Sequence, residues 1–120
     1  MRTIIEIKGV IPGLNGSDGL IREHWAAAKK RKLKYQLLIR SQTKNRHKGS
    51  VRIQYIGYKS ILMDWDNFAA SFKHIGDSLV NCKVIADDKP DIIVEFLPKQ
   101  IKCSRKEQKI VVIIDDYGTF

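Results

Sequence analysis

ILMDWDNFAASFKHIGDSLV, residues 61–80, sets an acidic opening in front of an amphipathic helix. Phe68, Phe72, Ile75 and Leu79 stand at i, i+4, i+7 and i+11, so they share one face of a helix predicted over residues 67–80. A helix with one apolar face needs a second layer to bury it. The flanking sequence supplies strands for that layer. Upstream, residues 51–58 alternate, with Val51, Ile53 and Tyr55 set against Arg52 and Gln54. Downstream, residues 91–97 and 109–115 are strands rich in Ile and Val. Near the start, residues 2–8 alternate Ile5 and Ile7 with Glu6 and Lys8.

A second helix is predicted over residues 20–43. Ile21, Trp25, Ala28, Tyr35 and Ile39 recur at helical steps and form its apolar stripe. The preceding stretch, Pro12 to Gly19, is turn-rich, and Ser17 or Asp18 can cap the helix. Its glycines fall at steps of three, outside the dinucleotide and P-loop patterns, so no nucleotide cofactor is expected. The order β, α, β, α, β, β predicts an α+β fold: a mixed four-stranded β-sheet with two α-helices packed on one face. With 120 residues and no linker or repeat, residues 1–120 form one domain.

Charge narrows the function. Lys and Arg number 22 against 13 Asp and Glu, a net charge of +9 that calls for a polyanionic partner. Lys29, Lys30, Arg31, Lys32 and Lys34 crowd the middle of the first helix, and Lys44, Arg46 and Lys48 follow in a loop. Between Arg22 and Lys48, Glu23 is the only acidic residue, so this stretch reads as a phosphate-contacting surface rather than a neutralised helix face. No apolar run is long enough to span a bilayer, and the charged N-terminus lacks a signal-peptide core. The expectation is a cytoplasmic protein with no membrane partner. Cys82 and Cys103 lack zinc-type spacing and are expected as free thiols.

The chemistry concentrates in Asp64-Trp65-Asp66-Asn67. A helix cap at Asp66 or Asn67 accounts for one of these residues and leaves Asp64 unexplained. Lys73 follows on the face of positions 66, 70, 73 and 77, about 10 Å along the axis from Asp66. An i, i+4 pair with Asp77 is its ordinary use, worth a few tenths of a kcal/mol. A second acidic pair, Asp87-Asp88, sits in the turn before Lys89-Pro90. If the helix folds back along the sheet, three carboxylates converge. Converging carboxylates repel unless a cation sits among them. Magnesium suits such a site because it takes few carboxylates and keeps water and phosphate oxygens. In a basic protein the combination points to phosphodiester hydrolysis.

These residues resemble the RusA-like Holliday junction resolvases, small proteins often encoded by phages and prophages. The family pattern is Asp-x-Asp-Asn opening a helix, a lysine on that helix, then an acidic pair in the following turn. Here it stands as Asp64-Trp65-Asp66-Asn67, Lys73 and Asp87-Asp88. Pro12-Gly13-Leu14-Asn15 is similar to the family's Pro-x-x-Asn after its first strand. Where members often carry basic residues before the Asp-x-Asp, this chain has Ser60-Ile61-Leu62-Met63. The resemblance implies metal ligation by Asp64, Asp66 and Asp88, with Lys73 as catalytic helper and Asn67, Asn15 and Asp87 in support. The metal is Mg2+, with Mn2+ as a substitute. The implied function is a homodimeric endodeoxyribonuclease that nicks opposed strands of a four-way DNA junction, in recombination and repair, in a bacterial host or from a phage. Two linked sites match the near two-fold symmetry of such a junction.

The main alternative is a non-catalytic basic nucleic-acid-binding module, which gives no reason to concentrate carboxylates, since they repel phosphate. A restriction-enzyme type of site at Pro90-Asp91 and Glu95 wants a lysine where Leu97 stands, so Asp91 and Glu95 read as solvent-facing positions. His24, His47 and His74 are scattered and read as surface or core residues. Trp65 either packs beneath the acidic pair or stacks on an unpaired base.

Overall fold

The computed structural model describes residues 1–9 and 25–117. The turn-rich stretch with Asn15, the first residues of the predicted first helix and His24 lie outside them. Along the described chain run β1 (Arg2–Lys8), α1 (Trp25–Gln42), β2 (Val51–Lys59), α2 (Trp65–Ala70), α3 (Lys73–Asn81), β3 (Ile93–Lys102), a 3-10 turn (Arg105–Glu107) and β4 (Lys109–Asp116). The four strands form one mixed sheet in the order β1-β4-β2-β3. β4 runs antiparallel to both β1 and β2, whereas β2 and β3 are parallel. Parallel neighbours need a crossover, and α2 with α3 provides it. The α+β fold expected from the pattern is the one observed.

Alternation decides which face is covered. Val51, Ile53 and Tyr55 of β2, Ile110, Val112 and Ile114 of β4, and Ile5 and Ile7 of β1 are buried on one face of the sheet. Phe68, Phe72, Ile75 and Leu79 are buried against it, as are Tyr35 and Ile39 of α1. Tyr55 is the hub, with its ring centroid 4.8 Å from Phe68, 5.0 Å from Phe72 and 5.9 Å from Phe96. Burial raises its phenol pKa well above the ordinary value, against the weaker opposing pull of its bond to Ser71. Gly57 sets the height of α2 above the sheet. A Cβ there would lie 2.5 Å from Cε1 of Phe68, so only glycine admits the ring.

The single helix predicted over 67–80 is two helices. The chain tightens at Ser71, whose N–H reaches both Asn67 O at 3.3 Å and Phe68 O at 3.1 Å. The Ser71 hydroxyl bonds back to Phe68 O and lies 2.7 Å from the Tyr55 hydroxyl. A serine that bonds its own helix backbone competes with the regular ladder. β3 also differs from the expected 91–97, starting at Ile93 and running to Lys102. It is an edge strand, which tolerates Pro98 and polar side chains. The other sheet face is covered by no helix among the described residues, and it exposes Ile4 and Leu97. No helix among them is long and apolar enough to cross a membrane. Both cysteines are free.

Candidate active site

The acidic opening begins where β2 ends. Segment 60–64 is pinned at two points. The Gln108 side-chain oxygen accepts from the N–H and the hydroxyl of Ser60, both at 3.1 Å. Gln100 clamps Met63, accepting from its N–H and donating to its carbonyl, both at 2.8 Å. These two amides fix the backbone on which Asp64 sits. The sequence carries no signal for them, because a glutamine near a strand end looks like any surface polar residue.

Asp64 is the N-cap of α2, through its backbone. Its carbonyl accepts from Phe68 N at 2.9 Å, and its side chain makes no cap bond. The predicted cap at Asp66 or Asn67 is therefore corrected by two to three residues: the chain already turns helical at Trp65. Asp66 lies in the first turn, where one carboxylate oxygen accepts from Asn67 N at 2.9 Å. Both aspartates are exposed, and Asn67 is half-buried. Among the described residues neither aspartate forms an ion pair. Capping thus leaves the Asp64 carboxylate unused.

Lys73 and Asp88 meet at one pocket of about 280 Å³. Phe72 and Gly76 wall it from the helices, and Pro90 and Phe96 from the far side. The expected pairing of Lys73 with Asp77 does not occur. Asp77 instead takes Lys32 of α1 at 3.3 Å, a partner 45 positions away that local spacing cannot reveal. Asp87 turns inward on its own loop. One oxygen accepts from Asp88 N at 2.7 Å and the other lies 3.6 Å from Lys89 Nζ. The Asp88 N–H, then the Asp88 side chain and Lys89, hold the Asp87 carboxyl below its ordinary pKa.

The three candidate ligands are not gathered. Among the described residues no group of three or more His, Cys, Asp or Glu stands where it could hold one metal ion. Asp64 and Asp66 open α2, whereas Asp88 lines the Lys73 pocket. The donors fit magnesium in kind, as hard carboxylate oxygens open to solvent, but not in arrangement.

The expected DNA surface divides. Lys29, Lys30 and Lys34 are exposed on α1, and Lys44, Arg46 and Lys48 are exposed on the loop after it. Arg31 and Lys32 are half-buried, with Lys32 engaged by Asp77. His47, between the loop cations, is buried: its Nε2 lies 2.7 Å from the Thr3 hydroxyl and its Nδ1 2.7 Å from Asp116. His74 is also buried. Neither histidine is placed for catalysis. Trp65 is 57% exposed and meets Phe68 edge-on at 6.3 Å, so it stands beside the acidic pair rather than beneath it. Ile61 and Leu62 are exposed next to it.

No protein-family model matches this chain, and no curated protein does.

Proposed function

We propose that the protein is a magnesium-dependent endodeoxyribonuclease that resolves four-way DNA junctions as a homodimer, in the manner of the RusA-like resolvases it resembles. One observation carries the reading. Lys73 and Asp88, far apart in the pattern, share a pocket, and the helical layer that places Lys73 begins with two exposed carboxylates, of which that of Asp64 takes no part in capping. In this reading Asp64, Asp66 and Asp88 would supply the carboxylates for the metal. A bound magnesium would supply a polarised phosphate and a more acidic water. Lys73 sets a positive charge at the pocket, where it offsets charge gathering on the phosphate. The cellular setting that fits is recombination and repair in a bacterial or phage-infected cytoplasm.

The separation of Asp88 from Asp64 and Asp66 favours one other reading, a basic module that binds DNA without cutting it. A synthetic mobile four-way junction separates the two. Paired nicks that require magnesium, and that fall on the order of 100-fold or more in Asp66→Asn while binding persists, are the expected result. Binding without nicking at any metal concentration would identify the module instead.

A further inference from the structure

At the β2 C-terminal end of the sheet, on the face opposite the helices, a pocket of about 450 Å³ is lined by Lys8, Arg105, Lys106 and Lys109 around Tyr58. Its two carboxylates are engaged: Glu6 lies 3.7 Å from Lys109 Nζ, and Glu107 accepts from the Ser104 hydroxyl at 3.0 Å. Lys8, Arg105 and Lys106 have no ion pair among the described residues, and all three are exposed. Glu107 keeps its charge on the Ser104 hydroxyl, so the lining sets four cations against two carboxylates, and the net positive charge of the concavity attracts an anion. Such a lining suits a phosphate rather than a base. Lys109 Nζ sits 5.2 Å from the Tyr58 ring centroid, so the amine covers the aromatic face on which a base would stack.

The pocket is also tied to the acidic segment. Gln108 lines it, and the same Gln108 oxygen holds Ser60, the first residue of the stretch leading to Asp64. From Ser60, held by Gln108 of the pocket lining, the four residues to Asp64 reach at most about 14 Å, so the acidic opening lies within several nucleotides' length of the pocket. We propose that this pocket binds a backbone phosphate of the DNA strand that runs to the acidic site, a few nucleotides from the position of the cut. The inference rests on the nuclease reading for its substrate and adds a contact outside the α1 and 44–48 surfaces.

The test measures junction binding by anisotropy over a salt series, without divalent metal, for the wild type and for Lys8→Ala/Arg105→Ala/Lys106→Ala. These side chains are exposed, and far-UV circular dichroism checks that the variant is folded. Junctions carrying a single neutral methylphosphonate at successive positions near the cut provide the second arm. The variant is expected to bind about 10-fold or more weakly, with a salt slope shallower by about 2. Neutralising one or two particular phosphates should weaken the wild type and leave the variant unchanged. A variant with wild-type affinity and slope, or equal methylphosphonate sensitivity in both proteins, overturns the pocket while leaving nicking intact. A wild type that binds with this pattern but never nicks removes the nuclease reading and leaves the phosphate pocket standing.

Discussion

The two ends of the sheet treat their polar groups in opposite ways. Where β1 begins and β4 ends, they satisfy one another. Arg2 grips Asp115 at 2.7 and 3.1 Å, Arg52 approaches the same carboxylate at 3.7 Å, and buried His47 bridges Thr3 to Asp116. Asn45 adds a bond to the Thr3 hydroxyl at 3.0 Å, and the amino group of Met1 lies 3.0 Å from Asp116. Beyond the other end of β2, Asp64 and Asp66 stand exposed with no ion pair among the described residues, and Lys73 is released from Asp77 by Lys32. A saturated cluster holds strands together, and its own groups are spent on one another. An unsaturated one contributes little to folding and is the place to look for chemistry.

Substitution can break that contrast. Asp88→Asn should abolish nicking, on the order of 100-fold or more, with a melting temperature within about 1 °C of wild type, because an exposed carboxylate carries little stability. A large loss of stability would place Asp88 in the structural class instead. His47→Ala should do the reverse. It strips the buried Thr3 hydroxyl and Asp116 of a shared partner, costing about 2–3 kcal/mol and lowering the melting temperature by roughly 10 °C. Nicking per folded molecule, measured well below the transition, should stay within about 3-fold. Gly57→Ala should fall between the two classes. The added methyl meets the Phe68 ring and costs about 1–3 kcal/mol. Because the same ring sets the height of α2, nicking should drop several-fold as Asp64 and Asp66 move.

The same contrast separates what was legible in the sequence from what was not. The stripe Phe68, Phe72, Ile75 and Leu79 is buried throughout, because helical period is a local property. The alternation in β2 held for the same reason and ran one residue further, to Lys59. The break at Ser71 depends on Tyr55, 16 positions away in another layer, and no local rule contains it. β3 extends through Pro98 and Lys99 because an edge strand admits what a central one excludes. At the candidate site the motif supplies residue types and not their grouping: Lys73 and Asp88 line one pocket, while Asp64 and Asp66 open α2. The Gln100 and Gln108 clamps, the Lys32 partner of Asp77 and the basic pocket around Tyr58 all arise from strand order, which the pattern alone left open.

Acid sharpens the comparison more gently. Partners hold Asp115 and Asp116 below the ordinary carboxylate pKa, chiefly Arg2 for the first and His47 for the second. A depressed carboxylate contributes stability above its unfolded pKa, and that stability is lost as pH falls through the folded value. Asp116→Asn should therefore be less stable than wild type at neutral pH and converge with it below about pH 3, as followed by urea midpoints. A constant gap across that range would show that the ion pairs contribute nothing.

Lys59 gives the smallest effect with the opposite sign. It ends β2 on the covered face, where burial lowers the pKa of its amine. The folded state then disfavours the proton that the unfolded chain still binds, so this residue makes stability rise as pH climbs toward the ordinary lysine value of about 10.4. Lys59→Met keeps the long apolar stem and removes the charge. It should raise the melting temperature by a degree or two at pH 7, and the gap should close in alkaline buffer. If the gap instead reverses at pH 7, with junction binding weakened as well, Lys59 belongs with the open end of the sheet: its charge would be kept, against the cost of burial, for DNA.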